Sequence, residues 1–251
     1  MEGYLIGSNR YALQQDVRCY DVDERMRLRP SAFMDYAQQI AYLAAEAMHF
    51  GYGDLVREGK AWVLSRMHVV FDSIPAWRDS VRMVTWHKGP SGPFYLRDFS
   101  LQDLDGKPLV RATSSWVILD IKQRRMARTA EVVEMIPEDT VCHENAIEGQ
   151  APRVMLPKGA EPVLCTRRHV EYSDVDIQGH TNNARYVLWA FDCIGLDTLV
   201  NRCVREFSVN FNHETLPGQE VELRLFQEEE EYFIEGLCEG RQVFILNTKL
   251  A

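Results

Sequence analysis

The chain has 251 residues, room for one large domain or two of about 120 residues each. At 46% hydrophobic and 26% charged residues it has the composition of a globular protein that needs no staple to hold a core. Its net charge of −9 argues against a general nucleic-acid binder, whose affinity comes from neutralising phosphates.

The six cysteines (Cys19, Cys142, Cys165, Cys193, Cys203 and Cys238) include no C-x-x-C pair, and the seven histidines make no H-x-x-x-H pair. Neither a disulfide framework nor a zinc site is indicated, and no metal or cofactor is expected. The N-terminal Met1–Gly7 stretch has no basic region followed by an apolar run, and no apolar run approaches the roughly 18 residues that span a bilayer. The expectation is a cytoplasmic protein without a membrane span, in a compartment that keeps thiols reduced.

In chain order, residues 12–20 read as a strand. Pro30 opens a helix running through Ser31 to Met48, with Phe33, Tyr36, Ala37, Ile40, Leu43 and Ala44 on one apolar face and Gly51 and Gly53 as its stop. Strands are predicted over Ala61–Phe71, Val81–His87, Phe94–Leu101 and Leu109–Asp120, with Asp105-Gly106 as the hairpin turn before the last. A short helix is placed at 130–136. The aperiodic, proline- and glycine-bearing stretch from Pro137 to about residue 160 reads as an ordered linker. Beyond it come a strand over Leu164–Tyr172, a helix over Asn183–Ile194 ended by Gly195, and strands over Cys203–Asn212, Glu220–Gln227, Glu231–Cys238 and Gln242–Lys249.

The second half repeats the first. Tyr20-Asp21-Val22-Asp23 lies 153 positions before Ser173-Asp174-Val175-Asp176, and at the same offset Phe33 meets Tyr186 and Tyr36 meets Trp189. Farther on, Val69, Phe71 and Val81 lie 140 positions before Val209, Phe211 and Val221. An internal duplication of strand, long helix and antiparallel strands follows. The sheet of each copy can curl around its helix, and the two copies can pair into one extended sheet. The fold class is therefore α+β, a tandem (double) hotdog, with units at 1–136 and 161–251 joined by the linker at 137–160.

Asp176, Gln178 and His180 alternate just before the second helix, an alternation that puts all three on one side of an extended chain. Gly179 allows a sharp turn or a close approach, and the helix start offers backbone N–H groups with the positive end of the dipole. A carboxylate, an amide, an imidazole and oriented donors suit hydrolysis of an acyl compound. By spacing alone Glu214, before Leu216-Pro217-Gly218, reads as an exposed turn residue. The Asp174-x-Asp176-x-Gln178-Gly179 pattern also opens like a calcium loop. Its twelfth position is Arg185 where a bidentate glutamate is required, and that reading fails.

Tyr172 to Asp176 and His180-Thr181-Asn182-Asn183-Ala184-Arg185-Tyr186 resemble the active-site segment of hotdog thioesterases, and the longer pattern resembles the acyl-acyl-carrier-protein thioesterases of plants and bacteria. Trp62-Val63-Leu64-Ser65-Arg66, Arg111 to Asp120, and Asn212-His213-Glu214-Thr215 extend the likeness over nearly the whole chain. The resemblance implies hydrolysis of fatty acyl-carrier-protein thioesters to free acid and carrier thiol, with an acyl-CoA thioesterase of the same fold or a non-catalytic acyl-binding hotdog protein as the alternative readings. The family's catalytic residues fall on Asp176, His180 and Glu214, and its Asn on Gln178. A cysteine common beside the glutamate is here Thr215, so a thiol there cannot be essential. Asn182 and Asn183 at the helix start, with Met34, Ile40 and Leu43 on the first helix, are the implied substrate contacts.

Within the first copy, Asp23 matches Asp176, but Arg25 stands against Gln178, Arg27 against His180 and Ile74 against Glu214. The second copy is expected to do the chemistry and the first to shape the acyl pocket. The implied partner is acyl carrier protein, an acidic protein. The basic clusters Lys122/Arg124/Arg125/Arg128 and Arg167/Arg168 read either as solvated surface or as its dock. The doubled chain supplies internally what single-unit relatives obtain by dimerising, so both a monomer and a homodimer fit.

Overall fold

Residues 3–132 and 135–251 are described by a computed structural model. They divide into two units: one takes the chain up to Leu28 together with Asp35–Ala151, the other Arg29–Met34 and Pro152–Ala251. Among the described residues no helix is long and apolar enough to cross a membrane.

The first unit contains β1 (Tyr4–Ile6), β2 (Arg10–Asp16), most of α1 (Pro30–Ala47), α2 (Tyr52–Arg57), β3 (Lys60–Phe71), β4 (Ser80–Ser91), β5 (Phe94–Gln102), β6 (Pro108–Asp120), β7 (Arg125–Met126) and α3 (Thr129–Val132). Its strands are antiparallel in the order β1-β2-β4-β5-β6-β3, with β7 added to β6. Alternation puts Leu13, Met83, Phe99, Leu101 and Val69 on one face, all buried. The chain leaving α1 sits on this face, where the Phe50 ring meets His87 edge-on at 5.0 Å. α1 itself buries Phe33, Ala37, Ile40, Ala41, Ala44 and Ala45. Small residues dominate that stripe, so the helix backbone can lie close to whatever it packs on.

The predicted first strand ends early, at Asp16 rather than residue 20, because Arg18 N–H turns to donate to Asp21 Oδ2 (3.0 Å). Gly51 does more than stop α1. It is the N-cap of α2, its N–H donating to Asp54 Oδ2 (3.0 Å). The predicted helix at 130–136 is shorter, α3 ending at Val132, and residues 133 and 134 lie outside the described residues. The Asp105-Gly106 turn forms, with Gly106 at φ +88°.

In the second unit are β8 (Leu164–His169), α4 (Asn183–Ile194), α5 (Leu196–Asn201), β9 (Val204–Phe211), β10 (Glu220–Glu228), β11 (Glu231–Cys238) and β12 (Arg241–Leu250), the strands antiparallel in the order β9-β12-β11-β10-β8. α4 lies against β10, β11 and β12. It is amphipathic, with Tyr186, Val187, Trp189, Ala190 and Phe191 buried. Tyr186 packs on Phe244 (5.2 Å) and Phe191 on Phe207 (5.9 Å). Gly236 is required where β11 bulges, because a Cβ there would collide with the Phe244 ring.

The ordered linker packs on each unit in turn, up to Ala151 on the first and from Pro152 on the second. In the first, Cys142 packs with Ala12, Val84 and Trp86, and Trp86 Nε1 donates to the Glu144 carbonyl (2.8 Å). A bulge at His87–Gly89 turns Lys88 toward Asp98 Oδ1 (2.9 Å), while Asp98 Oδ2 accepts from Ala146 N–H (2.8 Å). In the second unit, Val154, with Leu156 and Ala160, covers Phe226, Phe233 and Ile245, and Val154 N–H donates to Asn210 Oδ1 (2.7 Å).

Candidate active site

Asp176, Gln178 and His180 do not alternate along an extended strand. They form a closed turn. Asp176 N–H donates to the His180 carbonyl (2.9 Å), Gly179 N–H donates to the Asp176 carbonyl (3.0 Å), and Val175 and Thr181 pair as an antiparallel bridge. Gly179 has φ +81°, the left-handed conformation that closes the loop. Asp176 Oδ1 accepts from Gln178 N–H (2.9 Å) and lies 3.5 Å from His180 N. The carboxylate thus orders its own turn, as aspartate commonly does. The Gln178 side chain is exposed.

Glu214 reaches the turn from the loop after β9. His180 Nε2 lies 3.5 Å from Glu214 Oε2, both side chains partly open to solvent at 35% and 54% exposure. Two of the residues singled out from sequence therefore meet directly, and Asp176 reaches His180 through the backbone of the turn.

The helix start is less open than its sequence suggests. Asn182 caps α4, its Oδ1 accepting from Ala184 N–H (2.8 Å), while its carbonyl accepts from Arg185 N–H (2.9 Å). Asn182 is therefore occupied in holding the helix, and two of the expected donors are already satisfied. Asn183 is half-buried in the first turn. Met34 and Ile40 are buried on α1 and Leu43 half-buried, Met34 belonging to the second unit and the other two to the first.

The first unit contains the same turn, bond for bond. Asp23 N–H donates to the Arg27 carbonyl (2.8 Å), Met26 N–H to the Asp23 carbonyl (2.9 Å), Arg25 N–H to Asp23 Oδ1 (2.9 Å), and Val22 bridges Leu28. Met26 stands at φ 59°, where the second unit has Gly179. The flanks match too. Val17 N–H to Asp79 O and Arg78 N–H to Val17 O correspond to Val170 N–H to Gln219 O and Gly218 N–H to Val170 O. The side chains differ. Arg27 closes on Asp23 Oδ2 through Nε (2.9 Å) and Nη2 (2.7 Å), forming an ion pair where the second unit presents His180 to Glu214.

Three residues bound to this site were not singled out as chemistry-bearing. Thr215 is fully buried, and its Oγ1 lies 2.7 Å from both Thr181 Oγ1 and the Tyr186 hydroxyl. Thr215 N–H donates to the Tyr186 oxygen (3.1 Å), and Thr181 donates to the Thr215 carbonyl from its N–H (3.0 Å) and its hydroxyl (3.3 Å). Burial raises the Tyr186 phenol above its usual range, against the opposing pull of hydrogen bonds with Thr215 and Thr181, so it keeps its proton. The signal was present in the duplication: Thr181 faces Leu28 and Tyr186 faces Phe33 at the 153 offset, and Thr215 faces Pro75 at the 140 offset.

Residues 8–136 match the family model for the acyl-ACP thioesterase N-terminal domain, and residues 160–239 that for the C-terminal domain. Among curated proteins the chain is similar to the palmitoyl-acyl carrier protein thioesterase of Gossypium hirsutum, 25% identical over 207 residues covering 79% of this chain and 50% of the relative. It is similar also to the dodecanoyl-[acyl-carrier-protein] hydrolase of Cinnamomum camphora, 26% identical over 211 residues, covering 79% and 54%. The chain spans about half the length of these chloroplastic relatives. Among solved structures it shares its fold with an acyl-ACP thioesterase from Bacteroides thetaiotaomicron (TM-score 0.85, 23% identity, 96% of this chain and 98% of that one). The 12:0-ACP thioesterase of Umbellularia californica shares it too (TM-score 0.83, 20% identity, 99% of each).

Proposed function

We propose that this chain, which belongs to the acyl-ACP thioesterase family, hydrolyses fatty acyl thioesters of acyl carrier protein to free fatty acid and carrier thiol, and so ends fatty acid synthesis. The observation that carries this reading is the duplicated turn. One backbone frame occurs twice, and in only one copy does the frame present an imidazole to a second carboxylate. Retention of the frame in both units shows that the fold does not itself demand His180 or Glu214.

In this reading the thioester carbonyl sits against the turn, within reach of Asp176, His180 and Glu214. Water adds to the carbonyl carbon, the C–S bond breaks, and the thiolate leaves with a proton. Glu214 or Asp176 serves as general base for the water, or Asp176 attacks first and forms a transient anhydride that water then opens. His180, held between the turn and Glu214, orients and polarises the reacting groups. Single-turnover hydrolysis in labelled water separates the routes: label appearing first in an enzyme carboxylate excludes direct water attack.

Acyl carrier protein is the proposed donor, acting where thiols stay reduced, in the cytoplasm. Lys122, Arg124 and Arg128 are exposed and offer a basic surface to it. Arg125, Arg167 and Arg168 already pair with Glu131, Glu220 and Asp192, which weakens the Arg167/Arg168 alternative.

The test is turnover of a chain-length series of acyl-carrier-protein thioesters beside the matching acyl-CoA esters. Asp176→Asn, His180→Ala and Glu214→Gln are each expected to lower kcat at least 100-fold, a loss typical of removing a positioned acid–base group. Asp23→Asn, in the equivalent turn of the first unit, keeps wild-type kcat. Wild-type rates in Asp176→Asn and His180→Ala sink the site, and equal or better use of the CoA esters sinks the substrate assignment.

A further inference from the structure

The hydroxyls of Thr181, Thr215 and Tyr186 have no counterpart in the first copy of the repeat, although the backbone around them does. Thr181 N–H donates to the Thr215 carbonyl at 3.0 Å, and at the equivalent positions Leu28 N–H donates to the Pro75 carbonyl at 2.8 Å. The fold therefore makes this crossing of turn and loop without any hydroxyl. Leu28, Pro75 and Phe33 fill the three positions, all buried. Hydroxyls stand in all three places only in the copy that also has His180 and Glu214.

The hydrogen inventory fixes the direction of the network. Each hydroxyl has one hydrogen to give. The Tyr186 oxygen accepts from Thr215 N–H (3.1 Å), and Tyr186 donates to Thr215 Oγ1 (2.7 Å). Thr215 then donates to Thr181 Oγ1 (2.7 Å), and Thr181 donates to the Thr215 carbonyl (3.3 Å). This direction uses every hydrogen once and ends on the residue where it began. The reverse direction leaves the Tyr186 hydrogen without an acceptor in the network.

We propose that this closed Tyr186–Thr215–Thr181 circuit is a positioning device that sets the separation of His180 and Glu214. Each end of the His180–Glu214 contact is one residue before a member of the circuit: His180 precedes Thr181, and Glu214 precedes Thr215. The two side chains are half-open to solvent and stand on loops, where a single polar contact by itself holds geometry poorly. The buried circuit fastens both loops to α4 through Tyr186. It gives Thr215 a task other than that of a nucleophile, and it rests on the proposed function of the site.

The experiment uses the full chain and four variants: Thr215→Val, which keeps the shape and loses the hydroxyl; Thr215→Ser, which keeps the hydroxyl; Tyr186→Phe; and the Thr215→Val/Tyr186→Phe double. Steady-state rates on the preferred acyl-carrier-protein substrate are measured well below each unfolding midpoint. Thr215→Val and Tyr186→Phe are expected to lose about 10-fold or more in kcat with KM within twofold, as when a remote change misplaces reacting groups. Thr215→Ser stays within about threefold of wild type, and the double variant is no worse than the weaker single, because one break opens the circuit. The His180 ring signals in a nitrogen–proton correlation spectrum shift in Thr215→Val and return in Thr215→Ser. This readout needs no turnover and decides the proposal even if the chain hydrolyses a different ester.

Wild-type kcat with an unmoved His180 signal in both Thr215→Val and Tyr186→Phe overturns it, as does Thr215→Ser as damaged as Thr215→Val. If His180→Ala keeps full activity, the proposed function fails instead, and the ring signals of the other variants still report on the circuit.

Discussion

Acid should unsettle the first unit through one imidazole. His87 is 4% exposed on β4, under the edge of Phe50 and across the strand pair from buried Arg97. Its Nδ1 accepts from Gly89 N–H (3.3 Å), which leaves the hydrogen on Nε2, facing Thr140 Oγ1 at 2.8 Å. A second ring hydrogen would have to displace the first of these bonds. Burial, reinforced by the Arg97 charge, pushes the His87 pKa down to about 3 from an ordinary 6.5. The folded protein therefore keeps His87 neutral at pH values where the unfolded chain protonates it. Stability contributed by the neutral ring is complete above about pH 6.5 and declines as pH falls toward 3, by about 1.4 kcal/mol per unit. At pH 5 the loss is about 2 kcal/mol. Carboxylates titrate over part of this range too, so the measurement is a difference of differences. Urea unfolding of wild type and His87→Gln is compared at pH 7.5 and pH 5. Wild type should lose about 2 kcal/mol more than the variant between the two. Parallel losses would falsify the assignment of a neutral, desolvated His87.

Two further outcomes follow from neighbouring features. Asp98 is fully buried against Lys88, and burial raises its carboxyl pKa despite the opposing pull of the Lys88 ammonium and of the Ala146 N–H that donates to Oδ2. Asp98→Asn leaves the buried Lys88 ammonium without its counter-charge, held only by Asn145 Oδ1 and the Ile147 and Gly149 carbonyls, and should cost about 3–5 kcal/mol in urea unfolding, whereas Lys88→Met with Asp98→Asn costs less than the two single losses together. A loss under about 1 kcal/mol in the single variant means the pair is not buried as described. Gly179→Ala adds a Cβ that meets nothing within 4 Å, so its only penalty is the φ of +81° and the expected cost is about 1 kcal/mol. The first unit already holds Met26 at φ 59° in the same turn, and thermal melts showing a loss above about 3 kcal/mol would contradict the equivalence of the two turns.

The elements with a strong local period were legible in the sequence. Asn183–Ile194 is helical over the span its apolar spacing and its Gly195 stop define, and β11 has the bounds its alternation gives. The β2 boundary was not legible. Asp21 folds back onto Arg18 N–H, and nothing in the hydrophobic pattern of residues 12–20 signals that bond. The packing of the ordered stretch at 137–160 was not legible for a related reason. It comes from partners distant in sequence, such as Trp86 for Glu144 and Asn210 for Val154, and these leave no periodic trace in the stretch itself. The alternation of Asp176, Gln178 and His180 suggested a shared strand face. Gly179, read correctly as a point of freedom, instead let Asp176 close the loop on its own backbone.

The duplication reached further into the site than any local rule. Alignment of the repeats by their offsets points by subtraction to the second copy as the proposed working half, with Arg27 and Ile74 where the second copy has His180 and Glu214. The same subtraction extended to the loop neighbours gives Leu28, Pro75 and Phe33 against Thr181, Thr215 and Tyr186. A scan for titratable groups passes over these hydroxyls, since threonine and tyrosine carry no charge at neutral pH. Their importance lies in satisfying one another in a buried place, where an unmatched hydroxyl is costly and a matched set is rigid. The same turn and its crossing form with apolar side chains at these positions in the first copy of the repeat. In the proposed role the hydroxyls add a fixed relation between two loops, and a His180–Glu214 pair assembled from two loops requires such a relation where a single turn does not.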